Sequence, residues 1–308
     1  MLLSLIWTYS DRVPATLQGW QVLGSNESKK GFGLAPQGDG LVPNKIWQIH
    51  LPKHAAKNER IDPEGLLDTA SWLALNPDFT YTLVGEEGAD HFVDTNFADH
   101  PVIIETYHNI TNVGQKSDFL RYLLLYIEGG VYTDTDTEAL RPINEWVPPH
   151  MKDKVKLIVG IEFDRRDGGP WADIPHWLQF CQWTIAAAPR HPVFRKMFSH
   201  VVESLEELHQ KDAASDDESH PTSFEVMTST GPAAWTEAVF AQLQEYAPAL
   251  NKTKDLSFMT EPTLYGDILV LTIDGFGMGQ PHSHSTNDGS TPKAALMKHK
   301  FRGSWRGD

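Results

Sequence analysis

Short apolar runs alternate with helix-spaced stripes along most of this chain. NKIWQIHLP (44–52) is an apolar run closed by proline and FTYTLVGEE (79–87) is β-branched and aromatic, so both predict strands. Between them, PEGLLDTASWLALNP (63–77) sets Leu66, Leu67, Ala70, Leu73 and Ala74 at helical spacing between two prolines, predicting a helix. QKSDFLRYLLLYIEGG (115–130) carries the stripe Phe119, Leu120, Leu123, Leu124 and Ile127, with Gly129 or Gly130 available to end the helix in a left-handed conformation. KLIVGIEFD (156–164) and DILVLTID (267–274) predict further strands, and HPVFRKMFSHVVESLEELHQ (191–210) predicts a long amphipathic helix. GSNESKKGFGLAPQGDG (24–40) and KDAASDDESHP (211–221) read as polar loops, as do GDGL (38–41) and GFGMGQ (275–280), which lack a strand-to-helix setting. This alternation predicts an α/β fold with a mostly parallel central sheet flanked by helices, spanning 43–308 after an N-terminal extension, 1–42.

Composition narrows the picture. At 308 residues and 40% hydrophobic content the chain fills a sizeable core, and 26 basic against 41 acidic residues (26 − 41 = −15) repel phosphate backbones, so nucleic acid is not expected as a partner. One cysteine, Cys181, excludes an intrachain disulfide and a cysteine-based zinc site and reads as a buried thiol. MLLSLIWTYS is apolar over about eight residues, short of the roughly 20 that span a bilayer, so no membrane span is expected in the chain as given. Asn-x-Ser/Thr triplets at Asn26, Asn109 and Asn251 suit a lumenal protein and also arise by chance.

The candidate chemistry lies in GGVYTDTD (129–136). In an extended segment Asp134 and Asp136 point to one side, where two carboxylates can hold a hard divalent cation that bridges to a diphosphate. The same spacing also occurs in turns whose aspartates accept backbone N–H bonds, so the bare motif is weak. Asp118 and Arg121, three apart on the preceding helix, form an acceptor and a fork of donors suited to sugar hydroxyls. Their alternative is an exposed ion pair of little energetic value.

KSDFLRYLLLYIEGGVYTDTD resembles the sugar-binding D-x-D region of glycosyltransferase family 32. VPNKIWQIHLP, QFCQWTIAAAPRHPVF, TSTGPAAWTEAV and HKFRGSW resemble further segments of the family, extending the likeness over 42–305. Within that family, QFCQWTI and Gly-Ser-Trp are most similar to the fungal initiation-specific α-1,6-mannosyltransferases. The resemblance implies a GT-A fold, manganese or magnesium, and transfer of mannose from GDP-mannose to a mannose-containing glycan with retention, in the Golgi lumen and within a mannosyltransferase complex. It gives Asp134 and Asp136 to metal and diphosphate, and Asp118 and Arg121 to the donor sugar or ribose, with these four as the catalytic set. Ile46, Trp47 and Gln48 would line the guanosine pocket and Tyr132 would join the donor contacts. His299, Ser304 and Trp305 would close the site, His299 and Ser304 beside the metal. The family's membrane anchor and stem are not found in the chain as given, and HSHSTNDGSTPK (282–293) is a polar insertion without a match among the family's segments.

Rival readings remain. D-T-D-T also opens haloacid-dehalogenase-type phosphatases, which expect an apolar strand before the motif and a position near the domain start. An acidic sugar- or calcium-binding module, or an inactive relative, is the non-enzymatic alternative. His282 and His284 could chelate a metal or sit in a solvated loop. Trp171, Trp177 and Trp183 could stack on acceptor sugars or fill the core. Asp164, Asp173 and Asp267 are candidates for a carboxylate near the anomeric carbon.

Overall fold

The computed structural model describes residues 42–52, 67–171, 173–213 and 221–302. All fall within the compact unit Gly38–Asp308. Residues 1–41, with the expected extension and its glycine-rich stretch, lie outside the described residues, as do Ser304 and Trp305.

Lys45–Ile49 (β1) and Thr80–Val84 (β2) pair in parallel, with Thr69–Leu75 (α1) between them, giving the expected β-α-β opening. Next come Glu86–Asn96 (α2), Pro101–Asn109 (α3), Val113–Glu128 (α4), Gly130–Thr133 (β3), Thr137–Ala139 (β4), Leu157–Val159 (β5), Ile161–Asp164 (β6), Leu178–Phe180 (β7) and Thr184–Ala187 (β8). The chain continues through Val193–Ala213 (α5), Ser223–Ser229 (α6), Pro232–Tyr246 (α7), Thr263–Tyr265 (β9), Ile268–Val270 (β10), Ile273–Gly277 (α8) and Met297–His299 (β11). A seven-stranded sheet has the order β2-β1-β3-β8-β5-β10-β9. β1, β2, β3, β5 and β10 run one way, while β8 is antiparallel to β3 and β5, and β9 to β10. The sheet is therefore mostly parallel in strand direction, as the alternation of elements predicts.

Side-chain alternation divides the core into two layers. Ile46, Val131, Ala186, Ile158 and Leu269 share one cluster with Trp72, Trp146 and Phe276. On the other face, α4 is buried from Asp118 to Tyr126, because α5 covers the side away from the sheet; Phe97, Phe119 and Tyr126 meet Phe198 edge-on at 6.1, 6.0 and 5.3 Å. A helix apolar on nearly all sides has to be enclosed in this way.

Three local expectations change. In α1 the apolar stripe does not face inward: Leu67 and Leu73 are 67% and 46% exposed, whereas Trp72 is fully buried and its Nε1 donates to the Thr137 carbonyl at 3.0 Å. A single large side chain with a polar partner sets the orientation of this short helix. KLIVGIEFD is two strands, split at Gly160, where a Cβ would lie 2.5 Å from Phe276. After that break β6 leaves the main sheet and pairs with β7. GFGMGQ is only partly loop, since α8 takes in Gly275, Phe276 and Gly277.

Candidate active site

The helix–glycine–glycine–strand unit brings the two halves of the site together. Arg121 lies eight residues before Gly129, about 12 Å of helix, and the chain then returns along β3 over about 13 Å to Asp134. The two lengths cancel, so Asp134 arrives beside Arg121. Gly129 and Gly130 make the reversal with φ of +61° and +99°, and a Cβ on either would lie 2.7 Å from neighbouring atoms. The left-handed ending expected of one glycine is shared by both.

Asp134 and Asp136 are presented by a turn, not by the extended segment expected, since the Thr137 amide donates to the Asp134 carbonyl at 3.2 Å. Their carboxylates still converge. Gln48 Nε2 and Thr137 Oγ1 also donate to that carbonyl, at 3.1 and 2.6 Å, and fix the turn. β11 pairs with β4 with His299 opposite Thr137, which puts the imidazole over the aspartates. His299 Nε2 lies 3.3 Å from Asp136 Oδ1 and 3.6 Å from Asp134 Oδ2. One ligand atom from each of Asp134, Asp136 and His299 falls within 4.8 Å of the others, so these three can hold a divalent cation. The Arg302 amide donates to Asp136 Oδ2 at 2.9 Å, and Trp183 and Phe301 pack against the imidazole with centroids 5.0 and 4.3 Å away.

Asp118 and Arg121 are enclosed rather than exposed. Arg121 Nη2 lies 2.7 Å from Asp118 Oδ1, Nη1 lies 3.4 Å from Asp134 Oδ1, and the guanidinium sits 4.6 Å above the Tyr132 ring. Gln182 Nε2 and Thr230 Oγ1 donate to the two oxygens of Asp118 at 3.0 and 3.1 Å. Burial pushes the Asp118 carboxyl up to about 6, against the opposing pull of Arg121 and Gln182. At Asp134 burial acts in the same sense, but Arg121, His299 and the Tyr132 hydroxyl, 2.5 Å from Oδ1, outweigh it and hold the carboxyl below its usual value.

Other expected residues fall at different distances from this centre. Ile46 belongs to the core cluster beneath the site. Gln48 is fully buried, with Oε1 accepting from Thr69 and Tyr81 at 2.7 and 2.9 Å, and Trp47 Nε1 donates to the Gly129 carbonyl at 2.8 Å. Trp183 is core, donating to the Phe276 carbonyl at 3.0 Å, while Trp171 is 51% exposed. His282 stacks on Trp171 at 4.5 Å; among the described residues neither it nor His284 joins a metal-binding group. Asp164 is occupied by Ser257, the Phe258 amide and Arg166. Asp267 pairs with His191 and Lys156 just before β10, at the sheet edge opposite Asp134, and Asp173 is exposed. Cys181 is a buried free thiol, as expected. Gln182 and Thr230 carry no signal in isolation; they reach Asp118 across 64 and 112 positions of sequence.

The mostly parallel sheet thus gathers two aspartates, an imidazole and an Asp/Arg pair at the end of β3. Residues 66–152 match the family model described as "Glycosyltransferase sugar-binding region containing DXD motif". The chain is 34% identical to the initiation-specific α-1,6-mannosyltransferase of Schizosaccharomyces pombe, over 87% of this chain and 68% of that protein. It is 30% identical to the enzyme of the same name from Candida albicans, over 86% and 72%, and 24% identical to that from Saccharomyces cerevisiae, over 90% and 81%. A solved structure titled "PaToxG Glycosyltransferase" matches with a TM-score of 0.45 and 17% identity, over 68% of this chain and 72% of that one. The chain belongs to the glycosyltransferase family with the sugar-binding DXD region and is a glycosyltransferase, which removes the phosphatase reading.

Proposed function

We propose that this enzyme is a retaining, divalent-metal-dependent α-1,6-mannosyltransferase that moves mannose from GDP-mannose to the 6-hydroxyl of a mannose in an N-glycan or related mannoside. The relatives named for that activity support the linkage, and the charge around the turn supports the metal. Arg121 carries one positive charge against three carboxylates, Asp118, Asp134 and Asp136, leaving 1 − 3 = −2 where a diphosphate would bind. Anions in contact repel by about 4 kcal/mol per charge pair at 4 Å even with an effective dielectric of 20, so the site needs a cation to take the donor. Asp134, Asp136 and His299 supply two hard oxygens and a nitrogen, a donor set that suits manganese or magnesium.

When bound, the metal would neutralise the diphosphate and stabilise the negative charge that grows as it leaves. Asp118 accepts from donor-sugar or ribose hydroxyls, and Arg121, held flat over Tyr132, keeps that carboxylate in place. His299, packed between Trp183 and Phe301, closes the site from the β11 side. In this reading Ile46, Trp47 and Gln48 form the base-binding side, Ser304 joins the metal and Trp305 the diphosphate, and 43–308 is the transfer domain. The same reading takes the Golgi lumen as the place of action, within a mannosyltransferase complex; no helix among the described residues is long and apolar enough to cross a membrane.

The test is incubation with GDP-mannose or UDP-hexoses and a panel of mannose oligomers and N-glycans, followed by linkage analysis of the product. A new α-1,6-mannose from GDP-mannose is the expected result. Transfer only from a UDP-sugar, or a different linkage, would overturn the assignment.

A further inference from the structure

Glu162 belongs to none of the motifs, yet its setting marks it out. It lies on β6, just past the end of β5, and β5 runs in the same direction as β3. The break at Gly160 therefore brings Glu162 to the same sheet edge as Asp134. The Cys181 amide donates to the Gly160 carbonyl at 3.0 Å and the Asp134 amide to the Trp183 carbonyl at 2.9 Å, so the short segment 181–183 ties the start of β6 to the turn that carries the aspartates. The only other carboxylate of β6, Asp164, is taken up by Ser257, Phe258 and Arg166.

Two buried amides hold Glu162 in position. Gln179 Nε2, on the paired strand β7, donates to Glu162 Oε2 at 3.1 Å, and the Gln280 side chain, beyond α8, faces the same carboxylate. Gln179 and Gln280 are 0% and 4% exposed, and the Oε1 atom of each has no hydrogen-bond partner among the described residues. A buried amide oxygen left unpaired costs about 1–3 kcal/mol, so the Gln179 amide is oriented toward Glu162 at the expense of its own oxygen, and the Gln280 amide beside it is left equally unsatisfied. Among the described residues no lysine or arginine is paired with Glu162, and burial pushes its carboxyl up to about 7. A structural carboxylate would gain more from a salt bridge or from being apolar. Glu162 itself is 8% exposed.

We propose that Glu162, oriented by Gln179 and Gln280, is a substrate-facing carboxylate of this site that accepts a hydrogen bond from a pyranose hydroxyl. This rests on the glycosyltransferase site described above but not on which nucleotide the donor carries. The hydroxyl belongs to the sugar being transferred or to the acceptor sugar; in both cases the chemistry is one polar O–H meeting a carboxyl oxygen held in place by its neighbours.

Glu162→Gln and Glu162→Asp are compared with the wild type using whichever of GDP-mannose, UDP-glucose or UDP-galactose the wild type turns over fastest, in hydrolysis and in transfer, with parent and monodeoxy sugars. For one deoxy position the wild type should lose about tenfold in kcat/KM, and Glu162→Gln should lose about tenfold with the parent sugar but nothing further with that analogue. Glu162→Asp should recover part of the loss, and the Tm of neither variant should fall more than a few degrees below that of the wild type. A loss already present in hydrolysis assigns the hydroxyl to the donor, and a loss in transfer alone assigns it to the acceptor. Unchanged kcat/KM in Glu162→Gln, or an equal loss for every deoxy sugar, would overturn the proposal. A wild type that prefers a UDP-sugar would overturn GDP-mannose as donor and leave the Glu162 comparison intact.

Discussion

Asp118–Arg121 and Asp134–Asp136–His299 lie against each other and are built in opposite ways. The first is closed: both oxygens of Asp118 have donors, Arg121 reaches two carboxylates and two backbone carbonyls, and each is about 95% buried. The second is half open and carries excess negative charge, with 28% of the Asp134 side chain exposed. A closed pair holds a shape without a ligand, whereas an open cluster of like charges is completed by one. The pair should therefore govern stability as well as function, and the cluster should govern function alone.

The largest expected effect comes from opening the pair. Arg121→Ala leaves Asp118 buried without its cation and should cost about 3–5 kcal/mol in urea denaturation, with donor turnover lost too. Near-wild-type stability would show that the pair is not closed in solution. Asp136→Asn should instead lower turnover by about three orders of magnitude, roughly 4 kcal/mol of barrier, while Tm stays within a few degrees. A large drop in Tm would give the cluster a structural role and erase the contrast.

Glu162 sharpens the comparison, because it is buried like Asp118 but has no lysine or arginine partner among the described residues. Its folded value of about 7 lies above the ordinary 4.5, so the folded chain keeps a proton that the unfolded chain releases between those values. Stability from this group is full below pH 4.5 and is lost as pH rises to about 7. Glu162→Gln should remove that decline, gaining on the order of 2–3 kcal/mol on the wild type between pH 4.5 and 8. Parallel pH profiles for the two proteins would contradict it. The smallest effect is expected at Lys45–Glu128, an ion pair about a third exposed at the outer end of α4: Lys45→Met should change stability by less than about 1 kcal/mol.

The sequence makes local geometry legible and long-range convergence obscure. The helix from Gln115, the twin glycines and the two aspartates are contiguous, and matched helix and strand lengths are enough to bring Arg121 to Asp134. His299 has no local signal beyond the family resemblance, because its place depends on β11 pairing with β4 across more than 150 residues. Gln182, Thr230 and Glu162 give no local sign, since a polar residue in an apolar run shows neither its partner nor its exposure. The helix at 63–77 shows the converse, where helical spacing of leucines pointed to the wrong face and Trp72 decided. KLIVGIEFD read as one strand because a buried run shows no break until Phe276 is known to press on Gly160.

The central claim is that the open cluster becomes a diphosphate site only with a cation, and thermal unfolding with GDP tests it most directly. GDP should raise Tm in the presence of manganese, have no effect in EDTA, and have no effect on Asp136→Asn in either condition, as linkage requires of a metal-dependent nucleotide site. An equal GDP shift in EDTA, or the same shift in Asp136→Asn as in the wild type, would contradict it.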